Sequence, residues 1–167
     1  MSAPAAEVAC RPSVATCRSS LELAVEPAAV RTARHWTTTL LTQALPPIGP
    51  DTIDSAVLLV SELVTNAIRA VGESRYPQNA FPKGTRPIRA LDRPRVWLVI
   101  AANPGLIRIE VHDSASVPVP PAARPCGEAA AEEESGRGLE VITALASDWG
   151  WHPDPCGKVV WCQLVTD

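Results

Sequence analysis

At 167 residues, 46% hydrophobic and 20% charged, the chain has the size and composition of one globular domain rather than of a disordered segment. A formal net charge of −3, with no block of Lys or Arg, argues against direct nucleic-acid binding as the main task. The five cysteines (Cys10, Cys17, Cys126, Cys156 and Cys162) are scattered without a C-x-x-C pair, which disfavours a zinc cage and suits reduced thiols.

The first 17 residues are small, proline-containing and aperiodic, and read as a flexible arm ahead of one domain over 18–167. They lack the apolar core of a signal peptide. No run approaches the roughly 20 apolar residues of a membrane span, so a cytoplasmic protein with no membrane partner is expected. From Ser19 to Val25 the residues Leu21, Leu23 and Val25 alternate with Ser20, Glu22 and Ala24, the period of a half-buried strand. Pro27 then opens a helix whose stripe of Val30, Ala33, Thr37, Leu40, Leu41 and Ala44 runs until Pro46-Pro47.

Asp51 or Thr52 is placed to cap the next helix, which continues to about Val71. With Glu62 set at zero and about 100° per residue, ten apolar residues from Ile53 to Val71 fall in an arc of roughly 60° to 240°. Glu62 lies at the rim of that stripe, and Asn66, four residues on, lies about 40° around it on the same face. An acid and an amide at the edge of a buried face can point into a cleft. They can equally belong to a solvated helix face.

Residues 72–94 carry four prolines and no period, the signature of a long surface loop. Arg95–Ala101 and Leu106–His112 read as two strands joined by a hairpin at Asn103-Pro104-Gly105. After Asp113, residues 114–135 are rich in proline and acids and read as a second long loop. Gly136 to Ser147 becomes helical, with Leu139, Val141, Ile142 and Leu145 expected to face inward. Strands over Asp148–Trp151 and Lys158–Val165 close the chain. The order strand, helix, helix, two strands, helix, two strands has no repeated β-α-β crossover. It predicts an α+β two-layer sandwich, a mixed and mostly antiparallel sheet with the helices on one face.

Three features far apart in sequence could share a site: Glu62 with Asn66 on a helix, Asp113 at a strand end, and Gly136-Arg137-Gly138 opening a helix. Free N–H groups at a helix start suit a phosphate. An Asp beyond an apolar strand can accept from the exocyclic amine of a base, or be a turn residue. An Asn oxygen at a helix rim can ligate Mg²⁺.

The order and spacing of these boxes resemble the ATP-binding domain of the histidine-kinase-like ATPases, the GHKL group. SELVTNA resembles that family's N box, VHDSA its first glycine box and GRGLEVI its second, with 114–135 where the family has its ATP lid. The likeness covers about residues 19–166 and is greatest to small bacterial anti-sigma-factor serine/threonine kinases and their stand-alone relatives. The resemblance implies that ATP and Mg²⁺ are bound, with Asn66 on the metal and Asp113 on the adenine amine. It further implies Ala115 beside the nucleotide, Gly136, Arg137, Gly138 and Leu139 at the phosphate side, and Glu62 as general base. Two positions depart from the family pattern: Ala115 replaces the usual glycine, and Ala70 stands where many members carry His. The resemblance implies one of two functions, phosphorylation of a protein partner in trans or nucleotide-gated partner binding with little transfer. The implied partner is a sigma factor or an anti-anti-sigma-like protein, and homodimerisation is left open.

Overall fold

The computed structural model describes residues 17–44, 47–73, 95–114, 136–155 and 157–166. The N-terminal arm before Cys17, nearly all of the 72–94 loop, and the lid stretch from Ala115 to Ser135 lie outside the described residues. Among the described residues, five strands and three helices follow one another as β1 (Cys17–Leu23), α1 (Ala28–Thr42), α2 (Pro50–Glu73), β2 (Val96–Asn103), β3 (Leu106–Asp113), α3 (Gly136–Leu145), β4 (Asp148–Asp154) and β5 (Gly157–Val165). The sheet order is β1-β2-β3-β5-β4.

All four strand pairings are antiparallel, so the sheet over the described strands is not mixed but wholly antiparallel. The β-hairpins β2–β3 and β4–β5 account for two pairings. The central β3–β5 pairing is made after α3 and β4 have intervened, which lets β5 enter between β3 and β4. The α+β class and the two-layer arrangement are as expected from the order of periodic segments.

Alternation within the strands sets which side faces the helices. Val96, Leu98, Ile100 and Ala102 of β2 and Ile107, Ile109 and Val111 of β3 are buried on that side. Against them α2 lays Ala56, Leu59, Val60, Leu63, Val64, Ala67 and Val71, all buried and all within the stripe inferred from the helical period. Ile142 of α3 and Ala29, Ala33 and Leu41 of α1 complete the core. The Thr37 hydroxyl, buried in the same layer, donates to the Ala33 carbonyl at 2.8 Å and so leaves no polar group stranded.

Several boundaries differ from the sequence expectation for identifiable reasons. Pro50 takes the first position of α2, and the Gly49 carbonyl accepts from Thr52 and Ile53 N–H at 3.1 Å each. A backbone oxygen thus starts the helix, and Asp51 and Thr52 lie inside its first turn rather than capping it. Leu145 is exposed, because α3 ends there and its stripe closes at Ile142. By length and composition, Pro50–Gly72 is apolar enough to cross a bilayer, contrary to the reading that no stretch approaches such a span. Here that apolarity is used against the sheet, since α2 is the central helix of the core. Cys162 is buried under the helices, and its burial pushes the thiol up to about 12, well outside the reactive range.

Candidate functional site

The candidate residues fall into two groups, one where α2 meets α3 and one at the ends of the paired strands β3 and β5. Glu62 and Asn66 leave the half-buried rim of α2 one turn apart, just beyond the buried Leu63, Val64 and Ala67. Gly138 lies against them in the first turn of α3. A Cβ at this position would stand 2.8 Å from Glu62 Oε2, 3.3 Å from Asn66 Nδ2 and 3.6 Å from Asn66 Oδ1. The absence of a side chain at Gly138 therefore lets the acid, the amide and the start of a helix share one small volume. This groups the N box and the second glycine box physically, although they lie about seventy residues apart in sequence.

Gly136 and Gly138 belong to the first turn of α3 itself rather than to a glycine turn preceding it. Leu139 is partly buried and packs on the core, which makes it an anchor for the helix start. The side chain of Arg137 and the whole of Ala115 lie outside the described residues.

Asp113 is the last residue of β3 and shares the parity of Ile107, Ile109 and Val111, so it faces the helical layer. Its side chain is 1% exposed. Lys158, directly opposite on β5, brings its ammonium to 3.0 Å from each carboxylate oxygen. The following residue is held in place as well: Ser114 N–H donates to the Arg95 carbonyl at 3.2 Å, and Arg95 N–H donates to Ser114 Oγ at 3.0 Å. These two bonds extend the β2–β3 ladder one step and fix where the chain leaves the sheet toward the expected lid.

Gly157 closes the other side of this corner. A Cβ there would lie 1.9 Å from the Asp113 carbonyl oxygen and 2.9 Å from Ser114 Cα, and the residue sits at φ +155°. Only glycine permits both that backbone and that approach.

Residues 23–164 match the histidine kinase-like ATPase domain. The chain belongs to that family. Membership makes it an ATP-binding domain, and the five-stranded antiparallel sheet with three helices is consistent with the fold. No curated protein shows significant similarity to the chain.

The chemistry of the donor set fits the nucleotide. The Asn66 oxygen suits Mg²⁺ with the Glu62 carboxylate beside it, the first turn of α3 offers N–H groups of the kind phosphates bind, and Asp113 is a buried acceptor near a sheet end. Lys158 is the residue missed by the sequence reading. Its signal was present: Lys158, Val160, Cys162 and Leu164 share one strand parity, which puts a lone charge on the core face.

The closeness at Gly138 makes one prediction. Gly138→Ala adds a methyl that the flexible end of Glu62 must avoid, while alanine in a helix is favoured over glycine by up to about 1 kcal/mol. The variant is expected to melt at or slightly above the wild-type temperature yet bind Mg-ATP about tenfold more weakly, the worth of one misplaced polar contact. A calorimetric titration giving wild-type affinity would mean that Glu62 and Asn66 do not need their present positions.

Proposed function

We propose that this histidine kinase-like ATPase is a regulatory protein serine/threonine kinase of the anti-sigma-factor type, acting in the cytoplasm on a separate partner protein. The single observation that supports this reading is the packing of Gly138 against both Glu62 and Asn66, which brings a carboxylate and an amide together at a helix start. Asn66 would hold Mg²⁺, with the first turn of α3 toward the phosphates and Asp113 toward the base. The metal, when bound, supplies charge neutralisation at the phosphates. Glu62 takes the proton of the partner's serine or threonine hydroxyl as that oxygen bonds the γ-phosphorus and the bond to the departing ADP oxygen breaks. An acidic chain without a Lys/Arg block suits a protein substrate better than a nucleic acid. A sigma factor or an anti-anti-sigma-like protein is the partner class that agrees with the family resemblance.

The test begins with Asn66→Ala, which removes the amide from a half-buried rim and leaves the α2 core intact. Mg-ATP at about a hundred times its dissociation constant should stabilise the wild type by roughly 2.7 kcal/mol. The variant should lose most of that shift while its unliganded melting temperature stays close to wild type. An equal Mg-ATP shift in both proteins would remove Asn66 from the site. Label passing from γ-labelled ATP to a serine-bearing protein captured from the native cell supports the kinase. Binding of that protein without transfer points to a nucleotide-gated binder.

A further inference from the structure

Asp113 and Lys158 are the two buried charged residues of the described core, and each is the other's partner. The lysine side chain is 10% exposed and the aspartate 1%, and the ammonium stands 3.0 Å from both carboxylate oxygens. Replacing a buried ion pair by apolar residues is often neutral or stabilising, so core stability alone is a weak reason for this one. Its position supplies another. The pair sits across the β3–β5 register at the sheet end where Ser114 and Gly157 turn the chain, the corner assigned above to the base.

A lone carboxylate offers acceptors only. It suits the 6-amine of adenine and faces the 6-carbonyl of hypoxanthine or guanine with two opposed acceptors. An ammonium beside it changes what that edge of the pocket can read. Adenine presents a donor at its 6-amine and an acceptor at N1, which match the carboxylate and the ammonium in turn. A 6-oxo purine presents the same two functions in exchanged order, an acceptor at O6 and a donor at N1, which match the ammonium and the carboxylate. We propose that Lys158 is a base-reading residue, and that the donor it places beside Asp113 lets the site take 6-oxo purine nucleoside triphosphates as well as ATP. This rests on the assignment of the Asp113 corner to the base.

ITP is the probe, because its base differs from that of ATP only at the 6-position and N1. Calorimetry on the whole chain with Mg-ATP and Mg-ITP should give wild-type affinities within about tenfold of each other. Lys158→Met removes the donor and should raise the preference for ATP over ITP by at least about tenfold. Should that variant fail to fold once Asp113 is left with no ammonium, Lys158→Gln keeps a neutral polar partner whose amide nitrogen ends one bond short of the lysine nitrogen, so the donor no longer reaches the same point. It should then bind ITP more weakly relative to ATP than the wild type does. A wild type that rejects ITP by a hundredfold or more overturns the proposal. So does an ATP-to-ITP ratio unchanged in the folded lysine variant. Either of those results, with ATP still bound in an Asn66-dependent way, leaves the kinase reading standing. Binding of neither nucleotide to the wild type overturns both.

Discussion

Glu62→Gln is expected to cut phosphoryl transfer by about 10²–10⁴-fold while leaving Mg-ATP affinity within a few-fold of wild type. Glutamine has the same length and shape as glutamate and stays polar, so the contact with Gly138 and the packing of α2 are preserved. What is lost is the capacity to accept a proton from an attacking hydroxyl. Gly138→Ala displaces the same side chain sterically and so disturbs binding as well, and Asn66→Ala strikes the metal side and removes binding and transfer together. Three neighbouring substitutions thus separate geometry, metal and proton. The measurement is label transfer from γ-labelled ATP to the captured partner, run beside calorimetry on the same preparations. Equal transfer by wild type and Glu62→Gln would show that another group, or water, carries the proton.

Gly157→Ala should be the most destabilising small substitution among the described glycines. Its methyl would fall 1.9 Å from the Asp113 carbonyl oxygen, a backbone atom that cannot swing away as a side chain can. The backbone is also at φ +155°, where a side chain is strained. Strain and overpacking of this kind each cost about 1–3 kcal/mol, so a loss of roughly 3 kcal/mol or more is expected, close to ten degrees in melting temperature. Gly105→Ala is the internal control. Gly105 has φ +85° in the β2–β3 turn but nothing within 4 Å of its added methyl, so it should cost only about 1 kcal/mol. Thermal melts of the two variants compare strain alone with strain plus collision. Similar small losses would mean that the β3–β5 corner yields more readily than its contacts suggest. A folded Gly157→Ala protein should also bind ATP poorly if Asp113 meets the base as proposed, since the collision moves that residue.

The layers of this fold were legible because their periods are local. Ala56, Leu59, Val60, Leu63 and Val64 recur at helical spacing, and Leu98, Ile100, Ile107 and Ile109 alternate, so each element declares its buried face without reference to its neighbours. Pairing order does not declare itself in that way. Nothing within β5 says that it lies between β3 and β4, because the register is set by contacts fifty residues distant. The start of α2 was misplaced for a related reason, as the Gly49 carbonyl does the work that side-chain capping rules assign to Asp51 or Thr52. At the site, Glu62, Asn66 and Gly138 were legible as three motifs in order, and the structure adds that they touch. Lys158 escaped notice because a lysine at a strand start reads as an exposed end. Only the pairing with β3 brings it onto Asp113.

The place of β5 has a consequence for the order in which the molecule comes into being. As the chain is synthesised, β3 remains a sheet edge, and Asp113 remains without Lys158 and without Gly157 behind it, until residues 157–165 have emerged. That corner, proposed to face the base, therefore cannot form before β5 has been made, and it depends on a non-local pairing of the kind that forms slowly. A chain with Glu62 and Asn66 already on its central helix but without β5 still lacks Lys158 beside Asp113, so on the proposed reading ATP binding is expected to report that β5 has paired.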